Sequence, residues 1–157
     1  MPTRYRGDER EVRALNAFIT LLRAAEAVSA GVNERLAARR LTSSQFGVLE
    51  ALLHIGPLCQ GDLAGKLLRS GASVTSVVAG LEKRGLVVRQ RTEEHRRYVR
   101  VALTGKGRKL IEDVFPGHAK AVADRLAVLP PEEQDELRRL CRKLGLNISK
   151  SKEGAGQ

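Results

Sequence analysis

Aromatic residues are scarce in this chain. They make up 3% of its 157 residues, and tryptophan is absent. A core must therefore be aliphatic, and the 42% of hydrophobic residues are enough for one domain, or for one domain with an elaborated end. No run approaches the roughly 18 apolar residues of a membrane span, and the charged N-terminal segment lacks a signal-peptide core. We therefore expect a cytoplasmic protein with no membrane partner.

Cysteine and histidine are also scarce. The two cysteines, Cys59 and Cys141, and the three histidines show no metal-ligand spacing, and cytoplasmic thiols are expected to be reduced. There are no paired carboxylates, no nucleophile–base arrangement and no phosphate loop, since the GKG at Gly105 to Gly107 is typical of a helix start. We expect no enzyme activity, no metal and no cofactor.

Positive charge, in contrast, is abundant and unevenly placed. The formal net charge is +10. Between Gly71 and Leu110 there are ten lysines and arginines and only three glutamates, a local excess of seven positive charges. Such a cluster favours a polyanionic partner. The alternative, a basic face that only meets solvent, stays open at this point.

The periodicity of apolar residues divides the chain into four predicted regions. Residues 1–40 form a loose arm and a long helix, which needs a partner to pack against. Residues 41–104 form a compact lobe, and residues 105–148 form two more helices. Pro116 is expected to bend or break the first of these, and Gly145 to end the second. Residues 149–157 are expected to be a disordered tail.

The sequence of the lobe predicts three helices followed by a β-hairpin. Thr42 and Gln45 have the spacing of a capping box, and Gly56 ends that helix. A short helix over 60–68 follows, with Cys59 at its capping position. A third helix over 72–83 ends at Gly85. Two strands over 86–90 and 98–103 flank a charged loop, and Thr104 caps the next helix. The predicted fold class is mainly α with a small β-hairpin wing, a winged helix-turn-helix with long terminal dimerisation helices.

Two elements of the lobe suit contact with DNA. The helix over 72–83 carries small hydroxyl side chains that can reach base edges, namely Ser73, Thr75 and Ser76. It has no arginine or lysine before Lys83, so modest sequence selectivity is expected. The hairpin carries arginines suited to the backbone or the minor groove: Arg89, Arg91, Arg96 and Arg97, of which Arg96 and Arg97 are the best candidates for its tip. The alternatives are a plain surface helix and arginines that only keep the strands soluble.

The order of these pieces resembles the multiple antibiotic resistance regulator (MarR) family of bacterial transcription factors. The resemblance covers about residues 41–110, and its most specific parts are LEKRGLV, the basic wing and LTGKGRKL. It implies a homodimer that binds double-stranded DNA at a pseudo-palindromic site, with half-sites about one helical turn apart. It also implies a repressor released by a small phenolic or aromatic effector, or by thiol modification. The alternative is a non-specific architectural DNA-binding protein.

Three residues are candidates for sensing. The family's wing usually has an aspartate two residues before an arginine, whereas this chain has His95 before Arg96 and Arg97. We therefore predict that mildly acidic pH raises DNA affinity through His95, the alternative being an exposed histidine with no role. Cys59, at a helix N-terminus, is a candidate redox residue. Cys141 lies on an apolar helix stripe, where packing in a dimer core is the alternative to sensing.

Overall fold

The computed structural model describes residues 3–67, 71–92 and 95–154, and it describes side chains within 3–67, 71–91 and 99–145. It divides into two compact units, one through Ala121 and one from Val122. The helices are α1 (Glu9–Ala38), α2 (Ser43–Ile55), α3 (Gln60–Leu67), α4 (Gly71–Lys83), α5 (Gly105–Leu126) and α6 (Pro131–Gly154). The strands are β1 (Leu58–Cys59), β2 (Val87–Thr92) and β3 (His95–Leu103). The predicted fold class, mainly α with a β-hairpin wing, is confirmed.

Side-chain hydrogen bonds cap the starts of α1 and α2, and the cap of α2 is the one that the sequence predicts. The Asp8 side chain accepts from the backbone N–H of Glu11 at 2.8 Å and caps α1. Thr42 and Gln45 form the complete capping box of α2, with both bonds at 3.1 Å. Gly56 ends α2 with a φ of 93°, a left-handed conformation that glycine adopts without steric cost.

The core of the first unit is aliphatic, as expected. Leucine and valine side chains of α2, α3, α4 and the sheet pack together, and those that are no more than 1% exposed include Val48, Leu49, Leu63, Val78, Leu81 and Val101. Leu36 near the end of α1 and Ile111 of α5 join the same cluster. The buried side of α4 therefore packs against a close-packed core, which holds this helix in place.

The sheet has three strands in the order β1-β3-β2, all antiparallel. The sequence predicted the two long strands but missed β1, because two residues show no periodicity. Leu58 and Cys59 pair with Val101 and Arg100 of β3. Both long strands also extend further toward the hairpin tip than predicted, and their register shifts between Arg91 and Thr92.

A hydrogen-bond network fixes the start of α5 against the turn that ends α4. The Thr104 hydroxyl donates to the Gly85 carbonyl at 2.7 Å and accepts from the Gly107 N–H at 3.0 Å. The Thr104 N–H donates to the Leu86 carbonyl at 3.1 Å. A Cβ atom at Gly107 would collide with that same carbonyl. The predicted cap at Thr104 is therefore confirmed, and the turn and the helix start form one joint.

Proline and glycine end fewer helices than predicted. Pro116 was expected to bend or break α5, and α5 runs through it without interruption, so the helix does not break there. Pro116 and Glu112, whose carbonyl loses its helical partner there, are both exposed, so water can satisfy the carbonyl. In the second unit, α6 starts at Pro131 as predicted but passes Gly145 and runs to Gly154. A glycine inside a helix costs only about 1 kcal/mol. Residues 149–154, expected in a disordered tail, continue α6, and 155–157 lie outside the described residues.

Helix α1 corrects one expectation from composition. Among the described residues it is the one helix that is long and apolar enough, by length and composition, to cross a membrane. One such helix is weak evidence for a membrane span, because core helices of soluble proteins and N-terminal signal sequences pass the same test. Its apolar side chains include Leu15, Phe18, Leu21 and Leu22, and each is at least 36% exposed. Charged residues such as Arg23 and Glu26 interrupt the apolar run, so an uninterrupted apolar segment of this length is not visible in the sequence.

Candidate nucleic-acid interface

Helix α4 presents hydroxyl groups on the side opposite its core contacts. Val74, Val78 and Leu81 are buried, whereas Thr75 and Ser76 are exposed and Ser73 is half-buried. The Thr75 hydroxyl donates to the Gly71 carbonyl at 3.0 Å and lies 3.5 Å from the side-chain oxygen of Gln60 on α3. The three residues therefore lie in the first half of α4, on or beside a face that leaves room for a partner.

The wing is a basic antiparallel ribbon. Arg91 of β2 and Arg100 of β3 are exposed. The backbone of β3 begins at His95, which pairs with Thr92, so Arg96 and Arg97 follow directly at the tip end of the strand. The side chains of His95, Arg96 and Arg97 lie outside the described part of the chain, as do residues 93 and 94.

Arg89 is held differently from the other wing arginines. Its Nη1 atom lies 3.0 Å from the Oε2 atom of Glu82, in the last turns of α4. Its backbone N–H also donates to the Oε1 atom of Glu82, at 3.4 Å. One carboxylate thus holds both the side chain and the backbone of Arg89.

Cys59 caps α3 with its sulfur. The Asp62 N–H donates to the Cys59 Sγ at 3.5 Å, and the thiol donates to the Asp62 Oδ2 at 3.0 Å. Cys59 is half-buried and Cys141 is exposed, and both are free thiols. The arrangement shows the predicted capping position, with a carboxylate beside the sulfur.

Aromatic and histidine side chains gather between α2 and α5, which the sequence analysis missed. The His118 ring lies 4.0 Å from the Phe46 ring, and the Phe115 ring lies 4.8 Å from the His54 ring, measured between centroids. The His118 Nδ1 atom is buried and has no hydrogen-bond partner among the described residues. Burial lowers the pKa of His118, and the nearby Glu50 carboxylate partly offsets the shift. The three-residue spacing of Phe115 and His118, which places both on one face of a helix, was the sequence signal that could have predicted this cluster.

A cavity of about 240 Å³ adjoins this cluster. It lies between the end of α1 and the middle of α5 and is lined by Arg35, Ala38, Arg39, Asp113, Val114, Gly117 and His118. Arg39 and Asp113 form an ion pair of 2.7 Å across it. The cavity lining therefore combines two arginines, one of them paired with a carboxylate, with a histidine and apolar side chains. Among the residues described, no group of three or more potential ligands could hold a metal ion.

A sequence model of the MarR family matches residues 41–97. The HTH-type transcriptional regulator MhqR of Bacillus subtilis is 32% identical over 135 residues, which cover 86% of this chain and 93% of that protein. The chain belongs to the MarR family of transcriptional regulators.

Solved structures of MarR-type regulators agree in fold. AbsC of Streptomyces coelicolor superposes with a TM-score of 0.81 at 22% identity, covering 94% of this chain and 99% of that one, and so shows the shared fold. BpsR of Bordetella bronchiseptica superposes with a TM-score of 0.77 at 27% identity, covering 90% and 97%. This MarR-family chain thus has the winged helix-turn-helix fold of a family of DNA-binding transcriptional regulators.

Proposed function

We propose that this MarR-family protein is a cytoplasmic, homodimeric repressor of a pseudo-palindromic operator. The observation that carries the proposal is the pairing of exposed hydroxyls on α4 with a long basic wing. Ser73, Thr75 and Ser76 meet base edges in the major groove. Arg91, Arg96 and Arg97 contact the backbone or the minor groove. Arg89, expected from sequence to do the same, is instead paired with Glu82.

Exposed apolar residues on the terminal helices support the dimer. Phe18 and Leu22 of α1 are 56% and 46% exposed, and Leu140 and Leu144 of α6 are 49% and 50% exposed. Apolar stripes of this kind are stabilised by burial against a partner, at about 25 cal/mol for each Å² removed from water. A second copy of the chain offers the same stripes.

Selection from a randomised duplex library tests the operator. The purified, reduced protein is expected to enrich an inverted repeat with half-sites about one turn apart. Binding without enrichment would support a non-specific architectural protein, which the lack of Arg or Lys before Lys83 in α4 permits. Absence of binding by the reduced protein would contradict the proposal.

We further propose that a small aromatic acid releases the protein from DNA. BpsR is described as regulated in DNA binding by 6-hydroxynicotinic acid. The cavity beside His118 offers Arg35 and Arg39 to a carboxylate, and its volume of about 240 Å³ exceeds the roughly 150 Å³ that holds a benzene ring in an engineered cavity. Thiol modification at Cys59 is the other proposed trigger.

Competition between DNA and 6-hydroxynicotinate tests the cavity. The acid is expected to weaken operator binding by wild type and to have less effect on Arg35→Gln, which leaves the Arg39–Asp113 pair in place. Arg108→Gln, on another face of α5, is the control. Equal release of wild type and Arg35→Gln by the acid would place its site elsewhere.

A further inference from the structure

The Glu82–Arg89 pair joins the two elements that the proposed function brings to DNA. Glu82 belongs to α4 and Arg89 to β2, and the Gly85 turn lies between them. Gly85 has a φ of 69°, and its N–H donates to the Glu82 carbonyl at 2.9 Å. The Glu82 side chain then reaches past this turn to both the guanidinium and the backbone N–H of Arg89. Two contacts of the Glu82 side chain therefore join the end of the helix to the start of the wing, and a third hydrogen bond, from Gly85, closes the turn between them.

The direction of the Arg89 side chain follows from the alternation along β2. Val87 is buried and Val88 is exposed, so Arg89 shares the face of Val87, which is turned toward the core and α4. Arg89 pairs in register with Val101, which is fully buried. Its side chain is 33% exposed, less than a solvated arginine would be, and that of Glu82 is 36% exposed. Arg91 lies further out on the same strand face and is exposed.

We propose that Arg89 is a positioning residue and not a DNA contact: clamped by Glu82, it sets the angle at which the wing leaves α4. This inference rests on the proposed function. The wing cations further out, Arg91, Arg96 and Arg97, reach DNA together with α4 only when this angle is held. The pair suits such a role, because the Glu82 carboxylate holds Arg89 by its side chain through one oxygen and by its backbone N–H through the other, and charge-assisted contacts of this kind fix geometry.

The sign of one substitution separates positioning from contact. Glu82→Gln removes a negative charge near a polyanion and removes no cation. If Arg89 contacted phosphate and Glu82 were incidental, Glu82→Gln would bind DNA as tightly as wild type or more tightly. If the pair positions the wing, Glu82→Gln is expected to lose about tenfold in affinity. Arg89→Gln should lose a similar factor, and the double variant should be no weaker than either single variant.

The salt dependence of binding distinguishes positioning from a merely structural role. Each phosphate contact contributes about −0.9 to the slope of log K against log salt concentration. A variant that is only less stable would bind more weakly with an unchanged slope. Glu82→Gln is expected to flatten the slope by at least about 0.9, because the wing cations leave the phosphates although none has been mutated.

The matched control is a second ion pair of the same type. Arg108 and Glu112 lie 3.5 Å apart within α5, with both side chains 54% exposed. Glu112→Gln is expected to leave both the affinity and the salt slope unchanged, and thermal unfolding of each variant checks folding. Unchanged or tighter binding by Glu82→Gln, or weaker binding with an unchanged slope, would overturn the positioning role. Failure of wild type itself to bind duplex DNA would overturn the proposed function instead.

Discussion

Gly107 has no side chain, and this allows the start of α5 to pack directly against the Leu86 carbonyl. A Cβ there would collide with that backbone oxygen, and backbone gives way less easily than a flexible side chain. We expect Gly107→Ala to destabilise the protein by about 2–4 kcal/mol, as measured by denaturant unfolding. Gly105→Ala is the control, because a Cβ atom added at Gly105 would meet no atom within 4 Å. A loss no larger for Gly107→Ala than for Gly105→Ala would show that the joint can relax.

We expect His118 to make the stability of the protein depend on pH. Burial lowers the pKa of His118 below its ordinary value of 6.5, so the unfolded chain binds more protons near and below that pH. The free energy of unfolding should therefore be highest above pH 7 and should fall as pH drops through about 6.5. Melting temperatures at pH 7.5 and 5.5 measure this difference.

His118→Phe is expected to flatten this pH dependence, because the ring contact with Phe46 is kept while the titrating group is removed. His54→Gln is the control, since His54 touches the same cluster but is exposed. The same drop from pH 7.5 to 5.5 in wild type and His118→Phe would refute the assignment to His118.

At the scale of single elements, α3 depends on a cap that contains a thiol. Cys59→Ser keeps both a donor and an acceptor at this position, so we expect operator affinity within about twofold of wild type, as serine is a preferred cap. Cys59→Ala removes the cap and should lower stability by about 1 kcal/mol. If Cys59 is also the proposed trigger, peroxide should release wild type and Cys141→Ser from DNA but not Cys59→Ser. Equal release of wild type, Cys141→Ser and Cys59→Ser by peroxide would show that Cys59 caps α3 but is not the trigger.

Elements with local signals were predicted well from the sequence. The capping box of Thr42 and Gln45, the cap at Thr104 and the glycine at 85 involve partners no more than a few residues apart or a single backbone preference. The strand β1 was not predicted, because Leu58 and Cys59 become a strand only by pairing with residues some 40 positions later. The end of α6 was also misplaced, since one glycine costs less than the surrounding helix gains.

At the scale of the whole molecule, the exposed apolar stripes predict the oligomeric state. Leu140→Glu places a charge in the stripe of α6, and burying a charge without a partner is costly. We expect wild type to elute as a dimer of the 17.2 kDa chain and Leu140→Glu to elute as a monomer with weakened operator binding. Light scattering coupled to gel filtration measures both masses.

Arg138→Gln, on the other side of α6, is the control and should remain dimeric. An undisturbed dimer in Leu140→Glu would exclude the α6 stripe from the interface. Phe18→Glu then tests the stripe of α1 independently, because Phe18 is also exposed in the single chain.

The sequence by itself determined the order of helices and hairpin, the caps, the aliphatic core and the basic wing. These follow from periodicity, local hydrogen bonding and charge, which act over short separations along the chain. Only the tertiary structure decided that His118 meets Phe46, that a cavity opens beside them, and that Arg89 turns back to Glu82. The physical reason is that the side chain of an arginine on a strand can face either solvent or a neighbouring helix, and the local sequence is the same in both cases. The packing of α4 against the sheet selects between the two.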